Sequence, residues 1–122
     1  MKKVFILFFT FTVFSACSDT AEKNGVPVAF AGFDRTETVT LLKTEVELDG
    51  TGSYDPDSDL LNYKWKIEHI PERSALADVA NQDRPIASFI PDAEGDYVFS
   101  LVVDDGVFVS AKDIVVITII GK

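Results

Sequence analysis

The chain has 122 residues, of which 47% are hydrophobic, and its formal net charge is −9. This length and composition predict one folded domain and exclude a disordered chain. The acidic balance disfavours nucleic acid as a partner, because such a surface repels phosphate groups. It also disfavours electrostatic attachment to anionic lipid through basic side chains.

Residues 1–16 are predicted to be an export signal. Two lysines follow the initial methionine, and the run from Val4 to Phe14 is apolar apart from two threonines. The run is shorter than the roughly 20 apolar residues that span a bilayer. It ends in Phe14-Ser15-Ala16-Cys17. This motif resembles the lipobox of bacterial lipoproteins, although Phe14 stands where leucine is usual.

The lipobox predicts that Cys17 is lipidated and anchors an exported protein to a membrane of the bacterial cell envelope. The alternative is ordinary signal cleavage, which leaves Cys17 as a spare thiol. Residues 17–25 then form the lipidated cysteine and a polar tether, which reaches no more than roughly 30 Å when fully extended. We therefore expect the folded domain, residues 26–122, to lie close to its membrane.

The folded part shows short runs of alternating apolar and polar residues, separated by turn residues, and no sustained helical period. The predicted strands cover residues 26–31, 36–40, 45–48, 61–67, 86–90 and 97–103, with 107–110 beginning the return to a last strand at 113–120. About seven strands predict an all-β fold, an immunoglobulin-like β-sandwich. Trp65, the only tryptophan, is the expected core anchor.

Aspartates cluster in two predicted turns. Asp55, Asp57 and Asp59 alternate in the first turn, and Asp104 and Asp105 begin the second. Calcium takes several hard oxygen ligands, and alternating carboxylates on a turn can face one point. The spacing does not match an EF-hand loop, which has glycine at its sixth position and glutamate at its twelfth. The alternative is that these aspartates only hydrogen-bond their own turn backbone.

Two further side chains, Tyr97 and His69, are candidates for a role. Tyr97 follows a glycine turn and is either an analogue of the tyrosine corner, whose hydroxyl ties a loop to the sheet, or a plain core residue. His69 is the only histidine, and without a second histidine or a reactive cysteine a zinc site or a catalytic triad lacks parts. A small sandwich also offers no deep cleft to desolvate a pair of carboxylates, so we expect no enzyme.

Four motifs follow one another along the folded part: LDGTGSYDPD from Leu48, LNYKW from Leu61, AEGDYVF from Ala93 and LVVDDG from Leu101. In this order they resemble a polycystic-kidney-disease (PKD) domain. Asn24 and the Pro-Val-Ala that begins at Pro27 also resemble the first strand of that family. The sequence departs from the best-known subtype, which has an aromatic-Gly-Asp-Gly segment after the tryptophan, because KIEHIPERS follows Trp65 here.

The resemblance implies an extracellular sandwich that serves as a spacer or binds protein or carbohydrate. It also implies calcium ligands at Asp55, Asp57 and Asp104, with Asn24. We therefore expect a non-catalytic envelope lipoprotein that acts as an accessory or structural subunit near the membrane, with an envelope protein or polysaccharide as partner. The alternative is a cell-surface module for adhesion to carbohydrate or protein. The short tether favours the first, since a free adhesin gains from reach.

Overall fold

The structure, a computed structural model, describes residues 24–122. The expected signal peptide, the lipidation of Cys17 and most of the tether lie outside the described residues. Within them the chain forms six strands and no helix. The strands are β1 (Arg35–Val39), β2 (Val46–Asp49), β3 (Asn62–His69), β4 (Ile86–Phe89), β5 (Gly95–Asp104) and β6 (Asp113–Gly121).

The strands form two sheets. One has four strands in the order β1-β6-β5-β3, and the other pairs β2 with β4. β1 runs parallel to β6, while the other neighbours are antiparallel. The all-β prediction is therefore confirmed. Residues 24–122 contain no helix that could span a membrane.

The core lies between the sheets and follows the alternation of the strands. In β5, Tyr97, Phe99, Leu101 and Val103 all point inward and are fully buried. Trp65 of β3 is also fully buried, and its indole nitrogen donates to the carbonyl oxygen of Arg84 at 3.1 Å. This bond satisfies the one polar atom that a buried tryptophan brings into a core.

The predicted first strand, residues 26–31, is only a single bridge in the structure, which is why six strands form rather than seven. Val28 exchanges two backbone hydrogen bonds with Tyr54. The following amides donate to side chains instead, that of Phe30 to Ser53 Oγ at 2.9 Å and that of Ala31 to Asp113 Oδ2 at 2.7 Å. Because side chains supply these acceptors, the segment needs no neighbouring strand. Likewise, the predicted return at 107–110 contributes only the bridge between Asp104 and Val109.

The sandwich has two distinct ends. At one end the start of β3 pairs with the end of β5, Asn62 with Asp104; we call it the tether end, because Gly25 donates there to Asp57 Oδ2. At the far end, β5 begins and β6 finishes, and the amide of Leu42 donates to the carbonyl of Pro91 at 2.8 Å. The ten residues of β5 separate the two ends by about 30 Å, at roughly 3.3 Å per residue.

Candidate functional site

Three carboxylates meet at the tether end. Asp55, Asp59 and Asp105 each offer one oxygen, and these oxygens lie within 4.8 Å of one another. We call this group the carboxylate cluster. The first two residues belong to the turn before β3, and the third belongs to the hairpin that follows β5. Two segments far apart in sequence therefore build one site.

The turn at residues 55–59 closes around the side chain of Asp55. Asp55 Oδ1 accepts hydrogen bonds from the amides of Asp57 at 2.7 Å and Asp59 at 3.4 Å. Ser58 has a φ of 61°, in the left-handed region that non-glycine residues seldom occupy. This reversal of the chain brings Asp59 back beside Asp55.

The hairpin after β5 is held by Asp105. Its Oδ1 accepts from the amides of Phe108 at 2.7 Å and Val107 at 2.8 Å. These backbone hydrogen bonds, that of Phe108 first, lower the pKa of Asp105 because they stabilise its charged form. The side chain of Asn24 also contributes to lowering this pKa, which places Asn24 beside the cluster.

Two oxygens of the cluster have no hydrogen-bond partner. Asp55 is only 8% exposed, and its Oδ2 and the Oδ2 of Asp105 are both shielded from solvent and accept no hydrogen bond, since Asn24 lies near Asp105 without bonding to this oxygen. Buried polar atoms nearly always have a partner, and a buried carboxylate oxygen without one is costly. Hard oxygen atoms arranged in this way are the ligands that calcium prefers, so the residues present fit a divalent cation.

Asp59 shows the electrostatic cost of gathering these carboxylates. Its pKa is raised, chiefly by burial and then by the negative charges of Asp55, Asp57 and Asp105. Like charges that share a site disfavour the ionised form of one another. A bound cation would remove this repulsion.

The structure gathers a different set of aspartates from the one expected. Asp57 turns to the N-terminal segment, where its Oδ2 accepts from the amide of Gly25 at 2.5 Å. Asp104 Oδ1 accepts from Asn62 Nδ2 and from the amide of Gly106, both at 3.0 Å. These two side chains therefore support the loops, while Asp59 and Asp105 join Asp55 in the cluster. Whether calcium binds there stays a prediction.

Tyr97 is both a core residue and an analogue of the tyrosine corner. Its ring is fully buried beside Phe89, with ring centroids 5.1 Å apart. Its hydroxyl also accepts from the amide of Ala93 at 3.1 Å and shares its one proton between the carbonyl of Ala93 at 2.9 Å and Asp92 Oδ1 at 3.0 Å. The side chain thus packs in the core and ties the turn before β5 to the sheet.

An open groove crosses the surface beside β3. It is lined mainly by polar side chains together with one tyrosine, namely Tyr63, Lys64, Asn81, Gln82, Asp83 and Asp104, with Val79. Among the described residues, exposed aromatic rings also occur at Phe33 and Tyr54. Phe33 packs edge-on against Phe30, with centroids 5.1 Å apart. His69 is exposed at the end of β3.

Comparison with known families gives one match that covers most of the folded part. The model of the family described as "K319L-like, PKD domain" matches residues 31–119. In contrast, no curated protein matches this sequence.

Several solved structures resemble the fold. The PKD domain of the KIAA 1837 protein is 25% identical with a TM-score of 0.60, covering 77% of this chain and 86% of that one. The PKD domain of human KIAA0319 is 20% identical with a TM-score of 0.57, covering 80% and 83%. A nucleoside hydrolase-related hypothetical protein from Saccharophagus degradans, described as associated with carbohydrate metabolism, is 27% identical with a TM-score of 0.58. The match covers 80% of this chain but only 26% of that protein.

Proposed function

Because the chain belongs to the K319L-like PKD domain family, we propose that it is a non-catalytic interaction module exported to the bacterial cell envelope. The PKD prediction made from the four motifs is confirmed by the family match and by the similar PKD structures. In this proposal Cys17 carries the lipid anchor. The domain serves as an accessory or structural subunit of a larger assembly beside the membrane.

One observation carries this proposal, namely the position at which the chain joins the domain. The amide of Gly25 donates to Asp57 Oδ2, so the tether is fixed at one defined end of the sandwich. Cys17 lies only eight residues before Gly25, a distance of at most about 30 Å even when extended. A domain held so close to its anchor is suited to docking on an envelope protein rather than to reaching distant ligands.

The proposal includes calcium as the cation of the carboxylate cluster. Asp55, Asp59 and Asp105 would hold it, with Asn24 beside them. The bound ion would cancel two of the cluster's three negative charges and join the N-terminal segment to two loops. Extracellular modules of this kind bind calcium weakly, with dissociation constants of roughly 10⁻⁴–10⁻³ M.

The anchor is tested with the full chain expressed in bacteria. We expect the wild-type protein to fractionate with membranes, to carry a lipid adduct on Cys17 by mass spectrometry, and the Cys17→Ala variant to be released. A variant that remains in the membrane fraction would contradict the lipid anchor. Cross-linking of the anchored protein in envelopes, followed by mass spectrometry and glycan analysis, then identifies the partner. One dominant protein partner supports the accessory subunit.

The groove beside β3 favours a second candidate, a module that binds polysaccharide. Amide and carboxylate side chains next to an aromatic ring are the groups that hydrogen-bond and stack on sugars. Enrichment of polysaccharide without a stable protein partner would support this function. The double variant Asn81→Ala, Gln82→Ala should then lose the enrichment, whereas Glu72→Ala, outside the groove, should retain it.

A further inference from the structure

Exposed apolar side chains lie on the same segments that build the carboxylate cluster. We name five of them the apolar tip: Val26, Leu60, Val107, Phe108 and Val109. Leu60 is 92% exposed and Val107 is 70% exposed. Scattered apolar residues are ordinary on a protein surface, but several grouped at one end mark a surface that contacts something.

The hydrogen bonds of the cluster explain why these side chains point outward. The amides of Val107 and Phe108 are drawn inward to Asp105, and Val109 forms a bridge with Asp104. Leu60 directly follows Asp59, whose amide donates to Asp55. Backbone atoms thus face the carboxylates, which leaves the apolar side chains on the outer surface.

Resting on the proposed lipid anchor, we infer that the apolar tip contacts the lipid surface of the anchoring membrane when a divalent cation occupies the carboxylate cluster. The position of the tether favours lipid as the partner of the apolar tip. Val26 follows Gly25, so the tip lies where the tether joins the domain. The opposite end of the sandwich, where β6 finishes, lies about 30 Å from this junction.

A short tether makes this contact favourable. Linking a surface to the bilayer by a few residues turns its contact with lipid into an intramolecular event, with an effective concentration in the millimolar range for short flexible linkers. Weak apolar contacts, which would not hold a free protein on a membrane, then suffice.

The charge of the tip makes the contact depend on the cation. Asp55, Asp59 and Asp105 lie on the same two loops as Leu60 and the three apolar residues 107–109, and Asp57 and Asp104 are close to them in sequence. Uncompensated carboxylates are repelled by anionic headgroups and lose hydration near the acyl chains. A divalent cation bound by the cluster cancels two of its three negative charges, and the apolar side chains can then approach the lipid.

The test uses the mature lipidated protein reconstituted in vesicles of phosphatidylethanolamine and phosphatidylglycerol. Leu60→Cys is labelled with an environment-sensitive nitrobenzoxadiazole dye, since a lipidated Cys17 has no free thiol. With millimolar calcium we expect a blue shift of the dye and a several-fold loss of quenching by iodide, both reversed by a chelator. The matched control is Leu42→Cys, because Leu42 is also an exposed leucine, 71%, but lies at the far end. Its dye should remain quenchable throughout.

The outcomes separate this inference from the proposed function. Absence of a lipid adduct on Cys17 would overturn both. An adduct on Cys17 together with a Leu60 dye that calcium leaves quenchable would overturn the inference alone. A dye shielded equally with and without calcium would overturn the cation dependence. Shielding that occurs in native envelopes but not in the vesicles would assign the apolar tip to a protein partner and overturn the lipid assignment.

Discussion

Asp55 and Asp105 come from opposite halves of the chain, yet both hold an oxygen, Oδ2, that is buried and accepts no hydrogen bond within one carboxylate cluster. In each residue the other oxygen, Oδ1, accepts hydrogen bonds from backbone amides of its own loop. Both carboxylates are therefore fixed in direction by the backbone, while their second oxygens remain available to a ligand.

The residues of the cluster lead to a first prediction about calcium. We expect millimolar calcium to raise the melting temperature of the protein, because a ligand that binds only the folded state stabilises it. Asp105→Asn should abolish this rise, since the amide keeps one oxygen for the backbone of Val107 and Phe108 but removes the charged ligand. Differential scanning calorimetry with calcium and with a chelator measures the effect.

Asp104→Asn is the matched control for that variant, because it makes the same chemical change one residue away and outside the cluster. It should retain the calcium-dependent rise. If Asp104→Asn loses the rise while Asp105→Asn keeps it, the ligand set inferred from the motifs is correct and the cluster is not the site. No rise in the wild-type protein at millimolar calcium would rule out the metal site altogether.

Asp59→Asn should act in opposite directions with and without the cation. In the absence of metal, burial and the neighbouring charges raise the pKa of Asp59, so its ionised form opposes folding at neutral pH. The Asp59→Asn variant should therefore melt at a higher temperature than the wild-type protein when a chelator is present. The variant also lacks one calcium ligand. Adding calcium should therefore raise its melting temperature by less than it raises that of the wild-type protein.

The sign of the pH dependence follows from the same raised pKa. In the folded state Asp59 takes up a proton at a higher pH than in the unfolded chain, so metal-free stability falls as pH increases from 3.8 through the raised pKa. Asp59→Asn should remove this fall. Asp83→Asn, on an exposed turn, is the control and should leave the metal-free melting temperature unchanged. A metal-free Asp59→Asn protein that is less stable than the wild type would contradict the repulsion.

Tyr97→Phe should destabilise the domain by about 1–3 kcal/mol, because it removes a buried hydroxyl and leaves the amide and the carbonyl of Ala93 without that partner. Urea denaturation measures the change, and an unaltered m value would show that the fold is retained. Tyr54→Phe provides the control, since Tyr54 is 57% exposed and should change stability by less than about 0.5 kcal/mol. Equal effects of the two variants would mean that Tyr97 acts only through packing.

Much of the fold could be predicted from the sequence because alternation decides which side chains face the core. The pattern Tyr97, Phe99, Leu101 in β5 places three residues inward without further information, and the structure buries all three. The parallel pairing of β1 with β6 had no such signal, because the sequence pattern of a strand does not name its neighbour. The N-terminal segment fell short of a strand because the acceptors for its amides are side chains, Ser53 and Asp113.

The site could be predicted only in its general position. The two aspartate-rich turns indicated which loops meet, and Asp55 and Asn24 do lie there. The resemblance to PKD domains implied Asp57, and the alternation of the turn did not separate it from Asp59. The left-handed conformation of Ser58 brings Asp59 back beside Asp55, and such a conformation at a non-glycine residue gives no clear sign in the sequence. Asp105 lies in the cluster and Asp104 does not, because Asp104 is the last residue of β5 and Asp105 is the first beyond it.

Asp92 should contribute stability that is lost in acid. Its carboxylate accepts hydrogen bonds from Ser74 Oγ at 2.5 Å, the amide of Ala75 at 2.7 Å and the hydroxyl of Tyr97 at 3.0 Å. These bonds, that of Ser74 first, lower the pKa of Asp92 below 3.8 because they favour the charged form. The unfolded chain therefore binds a proton first as pH falls. The contribution is complete above the ordinary pKa and disappears as pH falls through the lowered one.

Asp92→Asn tests this link between the loop at Ser74 and the turn before β5. The asparagine side chain would point an N–H group at either the amide of Ala75 or the hydroxyl of Ser74, each of which is itself a donor. We therefore expect the free energy of unfolding to fall by about 1–3 kcal/mol at neutral pH. The difference from the wild-type protein should shrink as the pH is lowered through the acid range, because the wild-type carboxylate becomes protonated there. Urea denaturation at a series of pH values measures both effects, with Asp83→Asn as the exposed control. A difference that stays constant down to the lowest pH would show that Asp92 acts through shape alone and that its charge contributes nothing.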